Sequence, residues 1–188
     1  MAAVITDEEF GELFHQAHRS ARRLETRDRY DVVSEHERER LFQTGRLTDT
    51  RTRADRIEWE QTVRAGVSRG VRFERVRVVP DNVTDYQRFL LHQARYNVEY
   101  GEDVRYLRRA RADALDLPDR DFWVFDSTAL LLMPFTADDR LLDCEIVTDP
   151  ELVARHEAWI DLAMAHASPY AEYLAEDPAR ATPPPGRA

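Results

Sequence analysis

Three aspartates, Asp119, Asp121 and Asp126, bracket and interrupt the most apolar stretch of the chain, Phe122 to Met133. Paired carboxylates near strand ends support two chemistries: one can give a proton while the other takes one, or both can hold a hard cation such as magnesium. Asp121 and Asp126 are the candidate pair for such a metal-assisted hydrolase. A second constellation lies upstream. Arg75 and Arg77 alternate with Val76 and Val78, so on a strand both guanidinium groups project on the face that also carries Phe73. A partly covered arginine demands an acidic partner, and Asp121 and Asp126 are the expected ones. They would form a structural ion pair or, alternatively, the polar floor of a pocket lined by Phe73, Arg77 and Trp123. Arg105, Arg108, Arg109 and Arg111 make the strongest local basic group, which Glu102, Asp103 and Asp113 half-cancel. A solvated, salt-linked face is expected there, with contact to an anion or acidic partner as the alternative.

Other chemistries are closed. All 27 basic residues are arginine, so no mechanism that needs an amine, whether a Schiff base or a phosphate-loop lysine, is open to this chain. His15 and His18 share a helical face but lack a third ligand, and no metal site or cofactor is expected. Ser127 lacks the setting of an exposed nucleophile and reads as a turn residue. Cys144, the one cysteine, reads as a small buried side chain. The net charge of −9 opposes direct binding of nucleic acid. The opening residues lack the layout of a secretory signal and no apolar run is long enough to span a bilayer, so a cytoplasmic protein is expected.

The elements that must position these residues follow from periodicity and caps. Thr6 and Glu9 form a capping box ahead of Phe10, Leu13, Phe14 and Ala17, an amphipathic helix; Ser34 and Glu37 suggest a second. Residues 21–33 read as extended, a short strand or a hairpin that turns at Arg27 to Arg29. Leu47 to Asp55 reads as a mobile loop. A helix carries Trp59, Val63 and Val67. Val71 to Val79 is a strand, Thr84 and Gln87 cap a helix that Gly101 stops, and Val104 to Leu107 is a strand parallel to the first. Phe122 to Phe125 and Ala129 to Met133 form a buried hairpin, and Leu141 to Val147 is one more strand. Asp149 and Pro150 start a long helix that buries Leu152, His156, Trp159, Ile160 and Ala163. The expected architecture is α/β, with α+β as the alternative: a mixed sheet of about five to seven strands flanked by helices, with an N-terminal helical extension. One globular domain over 1–176 would precede a disordered tail over 177–188.

From Leu24 to Tyr173 the chain resembles an uncharacterised actinobacterial domain family, through Arg23-Leu24-Glu25-Thr26 with Tyr30, Trp59, Arg75 to Val79, Asp85-Tyr86, Gly101 to Arg105, Asp121 to Asp126 and Pro169 to Tyr173. Members are often encoded beside helix-turn-helix regulators, which implies a regulatory partner. The element order, with an aspartate at the hairpin turn, also resembles half of a phospholipase D type of domain, a fold that serves as a ligand sensor in some transcription regulators. Catalytic members carry His-x-Lys, four further residues, then Asp. With Asp126 in the last place, Asp119 stands where the histidine would be and Asp121 where the lysine would be. Neither can attack phosphorus or hold a phosphate. The resemblance thus implies the fold without its reaction, and three acids that reject anionic ligands or prefer cationic ones.

The expected function is a non-enzymatic regulatory accessory or sensor that contacts a helix-turn-helix DNA-binding protein, with Trp59, Tyr96 and Tyr100 as interface anchors. The alternatives are a small-molecule binding module and the hydrolase built on Asp121 and Asp126. Phe73, Arg75, Arg77, Arg105, Asp119, Asp121, Trp123 and Asp126 are the candidate binding residues. Oligomeric state is not legible.

Overall fold

A computed structural model describes residues 2–183. The chain runs β1 (Ala2–Val4), α1 (Asp7–Gln16), β2 (Ser20–Glu25), α2 (His36–Gln43), α3 (Asp49–Asp55), α4 (Ile57–Ser68), β3 (Arg72–Val79), α5 (Asp85–Tyr100), β4 (Asp103–Arg108), α6 (Arg109–Ala114), β5 (Asp121–Phe125), β6 (Ala129–Met133), β7 (Glu145–Val147), α7 (Pro150–His166), β8 (Ser168–Pro169) and α8 (Tyr170–Glu176). The strands form a single sheet in the order β1-β7-β6-β5-β2-β3-β4-β8. Its centre, β2-β3-β4, is parallel, and the remaining neighbours are antiparallel. Eight strands exceed the expected range because two short edge strands, β1 and β8, carry too few residues to show a period.

Alternation along each strand sorts the side chains onto two faces. Ala21, Phe73, Trp123, Phe125, Leu131 and Met133 face α1 and α4; Leu24, Val76, Val78, Phe122, Val124 and Leu130 face α7. The parallel β3-α5-β4 unit forms as its caps predict. Thr84 and Gln87 make a complete capping box, and Gly101 ends α5 at a φ of 108°. Helix α4 lies so close to β3 that a Cβ on Gly66 would stand 2.5 Å from the Phe73 ring, so glycine is what permits this approach.

Four local expectations are corrected. The mobile loop over Leu47 to Asp55 is largely helix α3, which Thr48 starts by accepting from the Arg51 N–H; without apolar periodicity a short capped helix leaves little trace in sequence. No hairpin forms at Arg27 to Arg29. Helix α2 begins after a 3-10 turn at Val33–Glu35, and the Ser34–Glu37 box is not made, Glu35 being an N-cap with no side-chain bond. Helix α7 buries Val153 and leaves Leu152 exposed. In addition, Pro178–Ala181 form a 3-10 turn in the segment read as tail, where Arg180 stacks on Tyr173. Residues 184–188 lie outside the described residues.

Candidate functional site

The α1 and α4 face of β2 and β3 carries charge where a core would carry hydrocarbon. Parallel register sets Arg23 beside Arg75 and Glu25 beside Arg77, and antiparallel register sets Trp123 on the other flank of Arg23. Like charges side by side repel. Glu25 offsets this: its carboxylate lies 2.5 Å from Arg75 Nη1 and 3.1 Å from Arg23 Nη1, and it also accepts from Arg77 Nε. Arg75 Nε donates to Glu102 at 2.6 Å, Asn97 Nδ2 donates to the other Glu102 oxygen at 2.5 Å, and Asn97 Oδ1 accepts from Arg56. One hydrogen-bonded chain therefore links Arg77, Glu25, Arg75, Glu102, Asn97 and Arg56. Burial pushes the Glu25 carboxyl up, but Arg23, Arg77 and Arg75 outweigh it and hold the group well below the usual carboxylate range.

Over this floor opens a cavity of about 550 Å³. It lies at the carboxyl ends of β2 and β3, the end of a parallel pair where ligands characteristically bind. Its aromatic wall is built by α1, α4 and β5. Phe14 meets Trp59 edge-on with ring centres 5.2 Å apart and Trp123 at 4.9 Å, while the Arg75 guanidinium lies 5.3 Å from the centre of Trp123 and 5.9 Å from that of Trp59. The polar wall is under-satisfied. Arg23 Nε, Arg38 Nε, Arg56 Nε, Tyr86 OH, Trp123 Nε1 and both amide atoms of Gln93 belong to cavity-lining residues and have no hydrogen-bond partner in the protein. Such a buried group costs roughly 1–3 kcal/mol when left unpaired.

The three aspartates do not converge, which corrects the expected pairs. Asp121 is buried at the start of β5, where it accepts from Thr26 N at 2.8 Å, Thr26 Oγ1 at 3.1 Å and Tyr30 OH at 2.5 Å. Burial outweighs these donors and the nearby Arg23, and raises its pKa. Asp126 lies at the other end of β5, about 16 Å away at the rise of a strand. It and Ser127 have φ values of 53° and 60°, the two left-handed positions of a tight hairpin turn. Its carboxylate accepts the backbone N–H groups of His18, Arg19 and Ser20 at 2.9, 2.7 and 2.9 Å. Although burial opposes it, these bonds lower the Asp126 pKa. Asp119 is exposed, 3.9 Å from Arg109. Asp121 and Asp126 cannot share an ion or exchange roles as acid and base, and the acids make no common surface that would select cations.

Of the other candidates, Arg75, Arg77 and Trp123 do meet at the cavity, but the partners of the two arginines are Glu25 and Glu102 in place of Asp121 and Asp126. Phe73 is buried beneath Gly66, outside the cavity wall. Arg105 projects to the opposite face, turns back on Asp103 at 2.9 Å and donates to the Met164 carbonyl. Trp59 lines the cavity, whereas Tyr96 and Tyr100 are buried and unavailable as surface anchors. Sequence reasoning missed Arg23, Glu25, Arg56, Asn97 and Glu102. The first two had a signal, since Arg23-x-Glu25 repeats the inward alternation of Arg75-x-Arg77. Among the described residues no group of three or more His, Cys, Asp and Glu side chains is placed to hold a metal ion, and no helix is long and apolar enough to cross a membrane.

Solved structures share the fold. Nuc, a phospholipase D family member from Salmonella typhimurium, matches over 90% of this chain and 99% of its own, with a TM-score of 0.52 and 14% identity. TrmBL2, an archaeal chromatin protein with a novel mode of DNA binding, matches over 89% of this chain with a TM-score of 0.50 and 11% identity; the chain spans 54% of its length. No curated protein matches in sequence. The fold is thus similar to that of a phospholipase D family member. The family model described as domain of unknown function DUF6879 matches residues 8–175, and the chain belongs to that family.

Proposed function

We propose that the chain is a non-enzymatic sensor, in which the cavity over the Glu25 floor takes a small molecule and the bound state is passed to a helix-turn-helix regulator. The observation that carries the binding half is the cavity itself: about 550 Å³, within the range of small-molecule sites, with aromatic walls over a charged floor. Asp119 and Asp121 stand in for the phosphoryl-transfer pair, which supports a fold kept without its reaction. The regulatory half rests on the resemblance to a family encoded beside such regulators, on the net charge of −9, suited to a basic partner, and on a fold shared with a DNA-binding chromatin protein.

Gly11 supplies the test. It lines the cavity, and a Cβ built on it meets nothing within 4 Å, so a larger side chain can start there, and Gly11→Phe is the substitution designed to fill the space. A metabolite library screened by thermal shift should yield a compound that stabilises the wild type and not Gly11→Phe. A compound at a hundred times its Kd adds about 2.7 kcal/mol. If every hit acts on both proteins alike, the cavity is not the ligand site. The partner half is tested by mixing the chain with a helix-turn-helix regulator of the kind proposed at micromolar concentration, with and without DNA and ligand. Absence of association in all four conditions would leave a binding module that acts alone.

A further inference from the structure

Given that the cavity is a ligand site, we infer that it takes an aromatic monocarboxylate, its carboxylate seated against Arg56 and its ring along Trp59. Every other arginine of the cavity wall has a carboxylate within 4 Å: Arg23, Arg75 and Arg77 have Glu25, and Arg38 has Glu35. Among the described residues Arg56 has none. Its side-chain partner is the neutral Asn97 Oδ1. Burial depresses its pKa, and although Tyr100 and Glu35 act the other way, the cations Arg38 and Arg75 add to that depression. A half-buried guanidinium without a counter-charge is unfavourable, and its planar fork fits a carboxylate with two parallel hydrogen bonds.

The ring has its place on the same element. Arg56 is the N-cap of α4, Trp59 is the third residue of that helix, and both line the cavity. Two further groups set the charge of the ligand. Asp7 and Glu58 line the cavity, are exposed, and make no ion pair among the described residues, so they stand at its rim as unneutralised negative charge. A ligand carrying one negative charge passes that rim at less cost than a phosphate ester carrying two.

Calorimetric titration of the full chain with benzoate, phenylacetate and 1-naphthoate, each beside its neutral amide, and with phenyl phosphate, tests this. At least one carboxylate should bind tenfold or more tightly than its amide and than phenyl phosphate, and Gly11→Phe should abolish the binding. Arg56→Gln should remove the tenfold preference without lowering the Tm, since it deletes an uncompensated charge, and Arg56→Lys should restore part of it. If amides bind as well as acids and Gly11→Phe still blocks them, the anion assignment falls while the cavity remains a ligand site. If no member of the panel shows a carboxylate preference that Arg56→Gln removes, the inference is overturned. If, besides, the metabolite screen finds no hit that Gly11→Phe blocks, the ligand-site reading falls with it.

Discussion

Arg22 and Arg23 are adjacent on β2 and project to opposite faces of the same sheet, where two different solutions to a buried guanidinium have formed. On the α7 side Arg22 is matched nitrogen by nitrogen: Nε lies 2.5 Å from Glu74, Nη2 2.7 Å from Asp161 and Nη1 3.5 Å from Glu157, whose carboxylate also accepts from Ser127 Oγ at 2.5 Å. Glu157 and Asp161 are four residues apart on α7, so one long helix lays both acids over the arginine. On the cavity side α4 also packs against β3, but among the described residues it lays no acid over the arginines. Arg23, Arg75 and Arg77 must share Glu25 from within the sheet, and the wall above them keeps polar atoms without partners. The difference teaches that charge in a sheet is not by itself evidence of a site. What separates a scaffold from a site here is whether a helix lays acids over the charge.

The sharpest way to break this contrast is Glu25→Gln, which leaves three guanidinium groups without their shared counter-charge. Removing one partner of a buried ion pair costs roughly 3–5 kcal/mol, and urea unfolding should show a loss of that order. The pH dependence has a definite sign. The folded pKa of Glu25 is depressed, so its contribution is fully present above the unfolded value and is lost only as pH falls through the depressed folded one. Below the usual carboxylate range the wild type should therefore lose stability more steeply than the variant. A loss under about 1 kcal/mol at neutral pH would show that the three arginines do not depend on this one acid.

Arg22→Met should cost about 2–4 kcal/mol by leaving Glu74 buried without its main partner, and adding Glu74→Leu should recover most of that loss, because a closed ion pair can be replaced by packed hydrocarbon. The corresponding double substitution on the open side, Arg75→Met with Glu102→Leu, should recover little. Glu25 would then have lost one arginine and Asn97 its acceptor, with a cavity above where hydrocarbon finds nothing to pack against. Equal recovery on both faces would remove the distinction between them.

The closed face was more legible in sequence than the open one. The β5–β6 hairpin and the Asp149–Pro150 start of α7 each declare themselves within about ten residues, through apolar runs and caps. Helix α3 did not, because Thr48 caps a stretch with no apolar period. Phe73, Arg77 and Trp123 could be read as one candidate pocket because alternation fixes their face, and of these Arg77 and Trp123 line the cavity. The true partners of Arg75 and Arg77 could not be read. Glu25 reaches Arg75 and Arg77 through the register of β2 on β3, across some fifty residues of chain, and Glu102 and Asn97 enter only once Gly101 has turned α5 back toward β4. Aspartates at the rim of an apolar run were visible, but which of them turn inward depends on backbone N–H groups and hydroxyls far away in sequence.

Asp126 tests the hinge common to both faces, since its carboxylate ties the hairpin turn to the start of β2. Asp126→Ala removes three charge-assisted bonds to backbone N–H groups and should cost about 2–3 kcal/mol. The folded pKa is lowered, so the gap between wild type and variant should be complete above the unfolded value and close as pH falls through the lowered one. An unchanged gap at low pH would mean that Asp126 acts through turn geometry and not through its charge.

The smallest effect is expected at Asp121, the buried carboxylate at the start of β5. Its folded pKa is raised, so ionising it opposes folding, and the sign is the reverse of that at Glu25 and Asp126: the contribution is fully present below the unfolded value and is lost as pH rises through the folded one. Asparagine imitates the protonated form. Its carbonyl can still accept from Thr26, and Tyr30 can rotate its hydroxyl to accept from the amide. Asp121→Asn should therefore change stability by less than about 1 kcal/mol at neutral pH, with wild type gaining on the variant as pH falls. A loss of about 2–3 kcal/mol at neutral pH that shrinks on acidification would instead mean that Thr26, Tyr30 and Arg23 keep the carboxylate charged. Asp121 would then belong to the ionic floor beside Glu25, and the open network would extend one strand further, to β5.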